Sequence, residues 1–317
     1  MKRILPILIL LAMVAAGCSR TAESSRPEVS TVMLVPTFER LQTQPSSPLS
    51  PAESAAIEAF MRFRGYTSVD SMMADARMAR ALSSFGPLVH TTFADTAALT
   101  AMVADIADRA NSAGVQPAAP RYAFVIWNDV RSMAFVDSIL LVALNHYLGA
   151  DCPFYRGLPE YTLQGKTPAQ LPLDIAEAQV ATQYPFIGQT ALARMAYEGV
   201  LAMARQHLTG CTEATALGYC EEQWTEIERN EARWWRQLAS LKLIYTADAL
   251  AIDQLVMPAP YTTPLGPDAP PRLGRYFGYR IVQAWLKRNG NKPLPELLAP
   301  QFYADESILI QSGYNPN

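Results

Sequence analysis

FIGQTALARMAYEGVLAMARQHL, residues 186–208, decides how the rest of the chain is read. Leu192, Met195, Gly199, Ala202 and Met203 recur at three- and four-residue spacing, which predicts a helix with a core-facing stripe. Glu198 lies at the edge of that stripe, four residues after Arg194 and next to Gly199. A carboxylate there either pairs with Arg194 on its own helix or turns inward, where it needs a partner. A second helix is predicted in CEEQWTEIERNEARWWRQLASL, from Cys220. It aligns Trp224, Ile227, Trp234, Trp235 and Leu238, with Glu231 in the middle of the stripe. Its two first-turn glutamates and late arginines suit the helix dipole. The third segment, PPRLGRYFGYRIVQAW from Pro270, supplies the expected counter-charges. Arg272, Arg275 and Tyr279 share one face, and Gly274, Gly278, Ile281 and Trp285 form a flat seam for close packing. The expected network pairs Glu231 with Arg272 or Arg275.

Outward from this core, MKRILPILILLAMVAAGC opens the chain with basic residues, a short apolar run and small residues ending at Cys18, the pattern of a secretory signal. Its ending resembles a bacterial lipobox, in which Cys18 is lipidated and becomes the first mature residue. Several acyl chains on one cysteine hold a protein firmly to a bilayer. Ser19 rather than Asp after the cysteine implies, by resemblance to other lipoproteins, the outer membrane, facing the periplasm. The expected organisation is a signal at 1–17, a polar tether at 18–30, and a single domain at 31–317, divisible into a helical and sheet part (31–165) and a helical part (166–317). Loss of Lys2 and Arg3 with the leader takes the formal charge from −3 to −5 without any basic block, so nucleic acid is excluded as an expected partner.

The remaining elements predict a mainly α fold with a small β component. TVMLVPTFERL, from Thr31, is expected as a strand and turn, and Ser50, Pro51 and Glu53 form a helix-start signature. MMADARMARALSSF and TAALTAMVADIADRANSAG are expected helices, while RYAFVIW and FVDSILLVAL have strand composition. The loop from His146, with Tyr155 and Tyr161, is an irregular candidate rim, and Thr167, Pro168 and Gln170 repeat the cap pattern. Cys152, Cys211 and Cys220 remain after processing; Cys211 and Cys220 are spaced to close a short disulfide loop.

NHYLGADCPFYRGLPEY, MAYEGVLAM, LGYCEEQWTEIERNEARWW with its trailing LIYTAD, and RLGRYFGYRIVQAW occur in the order found in GldB-type gliding-motility lipoproteins of the Bacteroidetes, and FERL and LIQSGYNPN also resemble that family. The resemblance covers most of the mature chain. It implies a non-enzymatic envelope role in gliding motility or associated secretion, with a membrane held through the lipid anchor and envelope proteins as partners. That family in turn resembles a zinc-peptidase frame, in which the Glu198–Gly199 pair stands where gluzincin-like enzymes place a third metal ligand. The chain has no HExxH, and His90, His146 and His207 are scattered. No metal or other cofactor is therefore expected, and the chain is a pseudo-enzyme by analogy. Competing readings are a hydrolase using Glu198 and Glu231 around a metal or as an acid and base pair, and a ligand-binding lipoprotein whose cleft is framed by Tyr155, Tyr161 and Tyr279.

A Cys18→Ser chain is expected to leave the membrane fraction for the soluble one on ultracentrifugation; continued sedimentation with membranes would contradict a lipid anchor.

Overall fold

The computed structural model describes residues 29–316; the leader and Cys18 lie outside the described residues. Four strands, β1 (Ser30–Met33), β2 (Arg121–Val125), β3 (Met133–Val136) and β4 (Ile139–Ala143), form a mixed sheet in the order β1-β2-β4-β3. β1 and β4 both run parallel to β2, while β3 pairs antiparallel with β4. β4 is buried at every position, as a covered parallel strand should be. The segment TVMLVPTFERL is mostly helix: β1 stops at Met33 and a helix runs Leu34–Thr43. Leu34, Val35, Phe38 and Leu41 bury one face of it, and Pro36 is tolerated in its first turn, where no backbone donor is lost. FVDSILLVAL likewise spans a hairpin rather than one strand, because Asp137 turns the chain at φ 52° between β3 and β4.

The helices between β1 and β2 make the crossover that parallel pairing requires. Ser50 caps the helix Pro51–Arg64 as a full capping box: Glu53 N donates to Ser50 Oγ at 3.2 Å, and Ser50 N donates to Glu53 Oε2 at 2.8 Å. The MMADARMARALSSF segment breaks at Asp75, whose side chain caps a separate helix Ala76–Thr92. The helix Thr96–Ser112 then packs on the helical second half. One hydrophobic cluster extends from Leu34 to Ile308 across both halves. Buried Gln179 ties them together, taking the Ala119 N–H at 2.9 Å and donating to Tyr122 Oη at 2.7 Å and to the Ala119 carbonyl at 3.2 Å.

Gln179 belongs to the Glu177 helix, Leu171–Gln183. Its expected cap at Thr167 makes no side-chain hydrogen bond; Pro168–Gln170 form a 3-10 turn that leads into it. The Glu198 helix, Ala191–Thr209, starts at Thr190, which accepts from Ala193 N at 3.3 Å, and it is buried along most of its length. Across it lies the arginine helix, Leu273–Asn289. Their crossing depends on two glycines. A methyl at Gly199 would overlap the backbone of Gly278 and Tyr279, and one at Gly278 would overlap the Met195 carbonyl. Gly274 faces a different neighbour, Leu255 of the helix Ala249–Val256, so the glycine seam serves two partners rather than one. The tryptophan helix, Glu221–Ser240, buries Ile227, Trp234, Trp235 and Leu238 as its stripe predicts.

Gly278→Ala is expected to cost about 3 kcal/mol or more by overpacking a backbone-to-backbone contact. A urea midpoint equal to that of the unsubstituted chain would contradict this crossing.

Candidate functional site

Asp174 and Glu177 stand one turn apart on the Glu177 helix, and Arg194, Glu198 and Arg205 lie along the Glu198 helix. Arg272 and Arg275 come from the start of the arginine helix. Together they form one charge network, in which Glu198, Arg205 and Arg275 are buried and the others half-buried. Arg275 Nη2 donates to Glu177 Oε2 at 2.6 Å, and its Nε lies 3.3 Å from Glu198 Oε2. Glu198 Oε1 accepts from Arg194 Nε at 2.9 Å and is 2.8 Å from Arg194 Nη2. Arg205 Nη1 approaches Glu177 at 3.3 Å and its Nη2 approaches Asp174 at 3.8 Å. Asp174 also accepts from Tyr147 Oη at 2.9 Å and from Gln170 Nε2 at 2.6 Å. Glu198 thus meets both of its expected alternatives, the local arginine and an inward partner.

Burial works against the charge on Glu177, but Arg275 and Arg205 outweigh it and hold its carboxyl at about 2. The same desolvation opposes Arg275, whose two glutamates more than compensate and raise it above the ordinary arginine value. Asp174 differs: burial dominates and raises it, even though Gln170 and Arg205 pull the other way. Asp174 and Glu177 feel this desolvation while a third of each side chain stays accessible, so they line a deep recess rather than a sealed core.

Glu231 is elsewhere. It does not reach Arg272 or Arg275; Arg280 Nε lies 3.2 Å away and Tyr314 Oη donates to it at 2.7 Å. The tryptophan helix meets the arginine helix through Trp224 on Tyr276, Trp235 on Phe277 and Glu231 on Arg280, so Glu231 falls opposite Arg280 rather than opposite Arg272 and Arg275 at the start of that helix. Glu231 therefore fastens the C-terminal segment, where Tyr314 also packs edge-on to Trp235. Tyr279 donates to Gln206 at 3.0 Å, and Tyr155 donates to the Asn145 carbonyl at 2.6 Å; neither contacts the network. Cys211 and Cys220 are free thiols, not a disulfide, with the short helix Glu213–Leu217 between them.

A family model described as gliding motility protein GldB matches residues 34–316. The chain belongs to the GldB gliding motility lipoprotein family. No curated protein and no solved structure gives a match. In this GldB-family chain no described helix is long and apolar enough to cross a membrane. Among the described residues no group of three or more His, Cys, Asp or Glu side chains is placed to hold a metal ion. His90 bonds Glu39 at 2.9 Å and His146 bonds Lys166 at 2.7 Å, while His207 is exposed. Burial and the Lys166 charge hold His146 down at about 4.

Asp174, Glu177 and Arg205 were not singled out from the sequence. A signal existed: Arg205 lies seven residues after Glu198, two helical turns along the same face, and two acids three apart on an otherwise apolar helix need partners.

Glu177 has an ordinary value of 4.5 and a folded value of about 2, so its contribution is full above 4.5 and is lost as pH falls through 2. Glu177→Gln is expected to destabilise the chain at pH 7 and to flatten its stability profile between pH 5 and 2. A variant whose profile parallels that of the unsubstituted chain would contradict the assignment.

Proposed function

We propose that this chain is a non-catalytic lipoprotein, anchored through Cys18 to the periplasmic face of the outer membrane, that serves gliding motility or its associated secretion through protein contacts. The observation that carries this reading is the saturation of its central carboxylates by arginine: Glu177 and Glu198 come from adjacent helices and share Arg275. In HExxH enzymes two histidines flank a glutamate so that both imidazoles face one ion. With Glu177 as that glutamate, the histidine positions fall at Ala176 and Val180, which are fully buried and offer no ligand atom. In the zinc-peptidase analogy Glu198, followed by Gly199 on the next helix, would take the part of a third ligand.

The guanidinium between the two glutamates supplies the positive charge that an ion would supply in such a frame. It differs in one respect that matters for chemistry: it has no open coordination position at which to polarise water. A permanent covalently attached cation supports a pseudo-peptidase in which the helical frame is kept for structure and surface. The competing use of Glu198 and Glu231 as an acid and base pair finds no support in their placement, since they have separate partners in separate parts of the arginine helix.

Elemental analysis of the full-length chain, purified in neutral detergent without chelators, is expected to find far less than one zinc per molecule. Stoichiometric zinc that disappears in Glu198→Gln would overturn the non-catalytic reading.

A further inference from the structure

A cavity of about 340 Å³ opens beside the charge network, between the start of the Glu177 helix and the start of the arginine helix. Gln164, Thr167, Gln170, Thr215, Tyr219 and Arg272 contribute to its wall, and no carboxylate does. Arg272 is the residue that sets it apart. Arg194, Arg205 and Arg275 each have a carboxylate within ion-pair distance, whereas Arg272 has none among the described residues. The network behind it holds four arginines, 194, 205, 272 and 275, against Asp174, Glu177 and Glu198. One cation is in excess, and it is the one that faces the cavity. A half-buried charge without an ion-pair partner is costly, and a bound anion would lower that cost.

The placement of that guanidinium is fixed rather than incidental. Arg272 adopts φ 57°, a left-handed conformation that is unfavourable for a residue with a side chain. It is held there by its carbonyl, which accepts from Arg275 N at 2.8 Å, and by the next residue, Leu273, whose N–H donates to Thr262 Oγ1 at 3.0 Å. Its side chain lies against Gly218, where an added methyl would overlap Nη1. Gly218 itself has φ 82°, and the missing side chain leaves the room that the guanidinium occupies.

We propose that this cavity binds a compact oxyanion, a phosphate or carboxylate group on a small molecule, through the guanidinium fork of Arg272 with amide and hydroxyl groups of the wall completing its coordination. A planar fork matches the two oxygens of either group. The anion would balance the excess cation of the network and leave Arg275 with its two glutamates.

The test is equilibrium dialysis of the full-length chain in neutral detergent against radiolabelled inorganic phosphate and, separately, labelled acetate, with chloride holding ionic strength constant. One saturable site per chain is expected, weakened by at least about tenfold in Arg272→Gln and partly restored in Arg272→Lys. Saturation by phosphate alone assigns a phosphoryl ligand, and saturation by acetate alone a carboxylate. Cys220 is exposed on the same cavity wall and provides a readout in the unsubstituted chain, independent of whether Arg272→Gln folds. Its alkylation by N-ethylmaleimide, followed by peptide mass, is expected to slow in the presence of the bound anion. Equal binding by a folded Arg272→Gln chain, or no saturable binding together with no protection of Cys220, overturns the proposal.

Discussion

Arg275 places one guanidinium between carboxylates from two other helices, and the arrangement of the helical half follows from keeping that cation paired, although its Nε, 3.3 Å from Glu198, makes no hydrogen bond. A buried arginine facing a single glutamate would still have unmatched donors and a large desolvation cost. Here Glu177 and Glu198 share it, Arg205 supports Glu177 from one side, and Arg194 supports Glu198 from the other. The price of burial is thereby divided among several ion pairs, which suits a unique packing more than it suits raw stability. For the three helices to bring these groups within ion-pair reach, the Glu198 and arginine helices must cross with their backbones in contact. That is what the pair of glycines at 199 and 278 permits, and any side chain at either would hold the helices apart.

The same constraint separates the network from the rest of the molecule. Because the helices cross at Gly278, the residues before it, Arg272 and Arg275, belong to the recess, and Arg280 after it belongs to Glu231 and the C-terminal segment. The sheet takes no part in this chemistry. It positions the Glu177 helix through Gln179, whose amide completes the backbone of Ala119 and reaches Tyr122.

Local features of this fold were legible in the sequence, and long-range pairing was not. The Ser50–Glu53 box, the tryptophan stripe and the Arg194–Glu198 pair are all set by spacing within one helix, and each forms as read. The partner of Glu231 is not fixed by composition, because the arginine helix offers several cations and the packing of the helices selects Arg280 among them. Glu177 carries no local signal of its role because its partner lies 98 residues away. The first segment is ambiguous in sequence, since its four apolar residues fit both the end of a short strand and the first turn of a helix, and Pro36 is compatible with either. The hairpin at Asp137 was hidden by apolar residues on both sides of a two-residue turn.

The most direct measurement is urea unfolding of Arg275→Met, which keeps the aliphatic length and removes the charge. Loss of about 3–5 kcal/mol is expected, because buried Glu198 and half-buried Glu177 would lose the cation they share. A stability within about 0.5 kcal/mol of the unsubstituted chain would contradict the view that this guanidinium holds the helical core together.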